Sequence, residues 1–219
     1  MKPMIKKGNR KDTETVRYSP MNMITRMAMT NYVKHFDTYR LNSVFTEDYT
    51  RQKAKLTNKL IFFNHNIIPM DTTFVPKLFQ ELDIPLSIVT NTVIIDIFQP
   101  IADRFHMRLL PTKQGAKDMV IENLREGRTV VIFIPDGKLF EKKRDSFKEI
   151  IDTVDNKVLV AQYIIDNFNG EDNKKTNLKS LTRYYLLGRK KLVYIHFKIT
   201  DELSSIEEVE QHKDMLYAE

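Results

Sequence analysis

The chain has 219 residues, a formal net charge of +6 and no cysteine. The length suits one domain with a sizeable core, and the lack of cysteine excludes disulfides, thiolate metal sites and a cysteine nucleophile. No stretch approaches the ~20 apolar residues of a membrane span, and the N-terminus lacks the apolar core of a signal peptide. The positive charge points to an anionic partner: lipid head groups, coenzyme A, an acyl carrier protein or nucleic acid.

The first fifty residues differ from the rest, and we divide the chain into an extension at 1–50 and a main domain at 51–219. Residues 1–17 form a basic tail, and Pro20 can open a helix that runs to about Arg40. Apolar residues recur there at helical spacing: Met21, Ile24, Met27, Ala28, Tyr32 and Phe36. A helix packed on the domain explains this pattern slightly better than an interfacial helix whose Met-rich face enters a lipid surface.

A histidine at the end of a strand is the first candidate for chemistry. The apolar run at 60–63 reads as a short buried strand, and Asn64-His65 follows it directly. A neutral imidazole can accept a proton near neutral pH, and Asp71 could orient the ring for that task. If the chain turns directly into a helix, Asp71 falls in its first turn, where a negative charge is favoured. The same residues fit a strand-end polar residue and a helix cap equally well.

The following segments alternate between strand and helix patterns. Strands are predicted at 86–90, 108–111, 129–134, 157–162 and 192–199. Helices are predicted at 93–105, 118–125 and 201–210, the second of them closed by Gly127. Lys113 follows one strand, and another runs into Pro135-Asp136-Gly137-Lys138. This order predicts an α/β domain in which a central mixed sheet is covered by helices on both faces, with an N-terminal helical extension.

Several of these segments, taken in order, resemble the glycerolipid acyltransferases of the lysophosphatidate type. That family has Asn-His followed by an acid, then a basic residue after a short strand, then a strand that ends in Phe-Pro-Glu-Gly. The corresponding residues here are Asn64, His65 and Asp71; Lys113; and Phe133-Ile134-Pro135-Asp136-Gly137. The resemblance covers roughly residues 55 to 205, with the segments in the family's order.

The chain also departs from the family pattern. Five residues separate His65 from Asp71 where most members have four, and this spacing is similar to that of the hemolysin or ornithine-lipid branch. Asp136 stands in place of the usual Glu, and Lys138-Leu139 in place of Thr-Arg. The role of binding a phosphate would then pass to Lys138, Lys142, Lys143 or Arg144. A catalytically silent relative therefore stays an open alternative.

The resemblance implies transfer of a fatty acyl group from an acyl thioester to the hydroxyl of a lysolipid. His65 would be the general base and Asp71 its orienting group, and the expected donor is acyl-CoA or acyl carrier protein, with no metal or other cofactor. The expected substrate-binding residues are Asn64, Lys113, Pro135, Asp136, Gly137 and Lys138. An enzyme of this kind is expected to be cytoplasmic and to contact an anionic membrane surface peripherally.

The competing class is a basic protein that binds anionic lipid or nucleic acid without chemistry. Its support is the basic tail and the segment Arg183-Tyr184-Tyr185, whose rings could stack on bases. Twenty-nine carboxylates are interspersed with the basic residues, so the charge favours neither class, and only the ordered motifs discriminate between them. The chain has no glycine-rich nucleotide motif, and the other histidines (His35, His106, His196 and His212) lack metal-ligand spacing.

Overall fold

Strands and helices alternate along the computed structural model, which describes residues 27, 41–43, 49–64, 68–92, 95–112, 115–134, 137–154, 158–166 and 193–216. The strands are β1 (Leu41–Ser43), β2 (Leu60–Asn64), β3 (Leu86–Thr90), β4 (Arg108–Pro111), β5 (Thr129–Ile134), β6 (Val158–Asp166) and β7 (Val193–Ile199). The helices are α1 (Tyr49–Leu56), α2 (Ile68–Glu81), α3 (Ile95–Arg104), α4 (Ala116–Arg125), α5 (Gly137–Thr153), α6 (Ile206–Gln211) and α7 (Lys213–Leu216).

These strands form one mixed sheet in the order β1-β7-β6-β2-β5-β3-β4. The five strands from β6 to β4 in that order run parallel to their neighbours, while β7 is antiparallel to β6 and β1 is parallel to β7. The predicted α/β class with a mixed central sheet is confirmed. The predicted strands are present, although β6 runs four residues beyond its expected end at 162.

Helices cover both faces of the sheet, because side chains along each strand alternate between two apolar layers. Ile61 and Phe63 of β2 face the layer that contains α2 and α3. Leu60 and Phe62 of the same strand face the layer that contains α4, α5, α6 and α7. All four side chains are buried, so β2 lies at the centre of the domain.

Four helices end in a left-handed residue that turns the chain sharply into the next strand, and after α1 this residue is Asn58, with φ of 54°. After α4 this residue is Gly127, with φ of 80°. The amide of Gly127 donates to Leu124 and that of Arg128 to Asn123, both at 3.0 Å. This pair of hydrogen bonds is the Schellman arrangement, and it confirms that Gly127 closes the helix. Asp83 after α2 and His106 after α3 occupy the same region, each with φ of 52°.

The acidic terminal helix is shorter than predicted, and most of the N-terminal extension lies outside the described residues. The acidic terminal helix starts at Ile206 rather than 201, because the Ser205 hydroxyl caps it by accepting from the amide of Glu208. Strand β1, within the predicted extension, was not expected. The basic tail and most of the predicted helix up to Arg40 lie outside the described residues; Met27 is helical and exposed. None of the described helices has the length and apolar character needed to cross a bilayer.

Replacing Gly127 with alanine should destabilise the fold by about 1–2 kcal/mol, the cost of placing a Cβ in the left-handed region. No atom lies within 4 Å of the added Cβ, so the loss would report backbone strain rather than a clash. The loss in free energy of unfolding is measured by urea unfolding. Gly127→Asn is the matched control and should lose less, because asparagine tolerates this conformation. An unchanged midpoint for Gly127→Ala would contradict the assigned cap.

Candidate functional site

The Asn-His segment and the Pro-Asp-Gly segment follow two neighbouring strands of the sheet. Strands β2 and β5 pair in parallel, and the last residue of each, Asn64 and Ile134, are partners in the register. Neighbouring strands lie about 4.8 Å apart, so the chain exits from the same edge at adjacent points. His65 follows Asn64 in sequence, and Pro135-Asp136 follows Ile134. These three residues themselves lie outside the described ranges.

The chain diverges to opposite faces after these two strands. Helix α2, which follows β2, packs on one face of the sheet, and α5, which follows β5, packs on the other. In open α/β sheets, ligands bind in the crevice that such a divergence opens at the carboxyl ends of the strands. The edge formed by Asn64 and Ile134 is therefore the strongest candidate for a ligand site in this fold.

Helix α2 carries Asp71 close to that edge. The helix begins at Ile68, so Asp71 is its fourth residue and lies in the first turn. Position 71 stands four and seven residues before Val75 and Leu78, which are buried against the sheet. The side chains of His65 and Asp71 lie outside the described residues, and their hydrogen bond stays a prediction.

The remaining predicted binding residues lie at different distances from β2. Lys138 is exposed on the first turn of α5, and the half-buried Gly137 begins that helix. Lys113, outside the described residues, follows the end of β4 in sequence, and β4 lies three strands from β2. The ends of β2 and β4 are therefore about 14 Å apart across the sheet.

Asn64 hydrogen-bonds within the protein. The residue is 3% exposed, and its side-chain Nδ2 donates to the main-chain carbonyl of Met215 in α7 at 3.0 Å. Asn64 was predicted to bind substrate, and the approach of the C-terminal helices to this edge was not predicted. No local signal could have revealed the contact, because 151 residues separate the two partners.

Three phenylalanines fix the start of α5 against β2. Phe62 contacts Phe140 and Phe147, with ring centroids 5.9 and 5.1 Å apart, and the last two rings are 5.5 Å apart. Phe140, in the first turn of α5, is fully buried. Phe62 lies two residues before Asn64 on the same side of β2, so this cluster holds the first turn of α5 next to the end of the strand.

Arg144, one of the residues considered for phosphate binding, is engaged in a helix contact. Its guanidinium donates to both carboxylate oxygens of Glu210 at 2.7 and 3.1 Å and to Glu207 at 3.2 Å. The hydrogen bond from Arg144 lowers the pKa of Glu210. The pKa of Glu207 is lowered by a hydrogen bond from the backbone amide of Glu207 itself and by the nearby charges of Lys148 and Arg144. Arg144 therefore joins α5 to α6, whereas Lys138 forms no ion pair with the described residues.

No protein-family model matches the sequence, and no curated protein matches it. In the part of the chain that the structure describes, no three histidine or acidic side chains gather as a metal-binding group. The assignment of chemistry to this edge therefore depends on the motif residues and on the strand pairing that brings their segments together.

The ion pairs of Arg144 should make the C-terminal helices sensitive to acid. A carboxyl whose pKa is lowered by folding stabilises the folded state above its unfolded pKa, near 4.3, and that contribution disappears as pH falls through the folded pKa. Urea midpoints should therefore drop between roughly pH 5 and pH 3, and Arg144→Ala should flatten the drop. Lys117→Ala, which removes the ion pair between Lys117 of α4 and Glu149 of α5, is the matched control. If the urea midpoint of Arg144→Ala varied with pH as it does in the parent, this role of Arg144 would be contradicted.

Proposed function

We propose that the protein transfers a fatty acyl group from an acyl thioester to the hydroxyl of a lysolipid. The observation that carries the proposal is the pairing of Asn64 with Ile134, which sets the Asn-His and Pro-Asp-Gly segments at neighbouring strand ends. A general base and the donors for an oxyanion must converge on one carbonyl group, so their segments have to meet at one place. This fold provides such a place between β2 and β5.

The reaction needs few groups. His65 removes the proton from the lysolipid hydroxyl as its oxygen attacks the thioester carbonyl, while Asp71 orients the ring. Backbone amides at the start of α5, beginning at Gly137, lack partners within the helix and can donate to the oxyanion. Collapse of the tetrahedral intermediate breaks the carbon–sulfur bond, and the imidazolium returns its proton to the departing thiolate.

Cationic side chains beside this edge suit the anionic parts of both substrates. Lys138, Lys142 and Lys143 are exposed in the first two turns of α5 and form no ion pair with the described residues. They can meet the phosphates of coenzyme A, the acidic face of an acyl carrier protein or a lipid phosphate. The reaction as written uses the thioester only as a co-substrate, and the basic tail would bring the enzyme to the membrane that holds its acceptor.

Replacing His65 with alanine should lower turnover of acyl-CoA with a lysolipid by at least ~100-fold, because a positioned general base contributes that much or more. The measurement is release of free coenzyme A thiol, with chemical unfolding recorded alongside to separate lost chemistry from a lost fold. His106→Asn is the matched control. His106 is exposed two residues before β4, at the opposite edge of the sheet, and asparagine accepts its left-handed backbone.

Parental turnover by His65→Ala would contradict the mechanism. Absence of thioester turnover in the parent, across acyl chain lengths and lysolipid classes, would instead favour the catalytically silent relative. Binding to RNA or DNA that weakens steeply with salt, without turnover and without vesicle binding, would favour the basic binding protein.

Neutralising the N-terminal tail should weaken membrane association while sparing the chemistry. Lys6→Gln with Lys7→Gln is expected to reduce binding to anionic vesicles about 10-fold or more, since each basic residue near such a surface contributes roughly 1 kcal/mol. Co-sedimentation with phosphatidylglycerol vesicles measures it, and turnover of a short-chain soluble substrate should persist. The matched control removes two exposed charges of the main domain, Arg125→Gln with Lys198→Gln. Equal loss in both variants would contradict a specific role for the tail.

A further inference from the structure

Asn64 connects the candidate site to the C-terminal helices through one hydrogen bond. It is the last residue of β2 and immediately precedes His65 in sequence. Its Nδ2 donates to the carbonyl of Met215 at 3.0 Å, in a buried environment. That carbonyl belongs to the last turn of α7, where helical carbonyls lack partners within the helix. The bond therefore satisfies two polar groups that would be costly to bury unpaired.

The C-terminal helices are themselves held in place from several sides. Val158 at the start of β6 and Leu203 exchange two main-chain hydrogen bonds of 3.0 and 2.8 Å. The apolar side chains of α6 and α7 are buried: Ile206, Val209, Met215 and Leu216. Arg144 ties α6 to α5 through Glu207 and Glu210. The carbonyl of Met215 is thus a fixed point relative to both β6 and α5.

Helix α5 connects the C-terminal helices to the Pro135-Asp136-Gly137 segment. α5 begins at Gly137, directly after Pro135-Asp136, and it carries Arg144 two turns later. The end of β2 is consequently held within the sheet by its pairing with β5 and on one face of the sheet by α7. We infer that Asn64 is a positioning residue for the proposed acyl transfer: it holds the strand end before His65 against α7. This inference rests on the proposed function, and it gives the C-terminal helices a part in the site.

The test separates positioning from contact with substrate. Asn64→Asp keeps the shape of the side chain but replaces the donor with an oxygen that cannot donate to Met215 when ionised. Loss of positioning should lower kcat by roughly 10- to 100-fold, with KM for thioester and lysolipid within about twofold, because a displaced base slows the chemical step. Met215→Leu keeps the carbonyl and the side-chain volume, and it should retain the parental kcat. A raised KM at parental kcat would mean that Asn64 contacts substrate, which overturns the inference.

A second readout does not depend on turnover. In the parent, the side-chain amide protons of Asn64 should exchange slowly with solvent by NMR, and the amides of α6 and α7 should be protected. Asn64→Asp should speed exchange throughout α7, and Met215→Leu should not. Fast exchange of the Asn64 side-chain protons in the parent would overturn the inference even if no variant folded. Slow exchange in a parent that turns over no thioester would instead refute the proposed function, with the Asn64 contact intact.

Discussion

The parallel pairing of β2 with β5 is the constraint on which the rest of the structure depends. It runs the full length of β2, from Leu60 opposite Val130 to Asn64 opposite Ile134. A slip of one residue would exchange the two faces of β2 and put Phe62 where Phe63 lies. The aromatic cluster beneath α5 would be lost together with the alignment of the two strand ends. Core packing and the geometry of the candidate site are therefore set by the same register.

Much of the fold could be predicted from the sequence, because strands buried on both faces appear as continuous apolar runs. β2 and β5 are of this kind, and the glycine after α4 marked its end. No bounds were predicted for α2, which contains Pro76, a residue that normally interrupts a helix. Buried neighbours such as Val75 and Phe79 favour the helix despite that proline. β1 has only three residues and no apolar pattern, so its position depends on β7.

In the candidate site too, features of contiguous sequence could be predicted, whereas contacts between residues far apart in sequence could not. The residue types at the strand ends indicated chemistry, because each motif is contiguous in the chain. The order of strands could not be inferred, since it depends on the fit between segments far apart in sequence. The partners of Asn64 and Arg144 were hidden for this reason: Met215 and Glu210 are 151 and 66 residues away. Local sequence indicated which side chains are polar, and the tertiary fold decided what each one contacts.

The central position of β2 has a consequence for how the chain acquires its structure. β2 comes first among the five parallel strands, yet it pairs with β5 and β6, whose partner residues for Leu60 lie 70 and 98 positions later. On a ribosome, neither edge of β2 can be covered until β5 has emerged, and the second only after residue 158. Contacts this distant in sequence make folding slow, and an apolar strand waits exposed meanwhile. We expect this protein to depend on chaperones during synthesis more than a domain of similar size built from neighbouring hairpins.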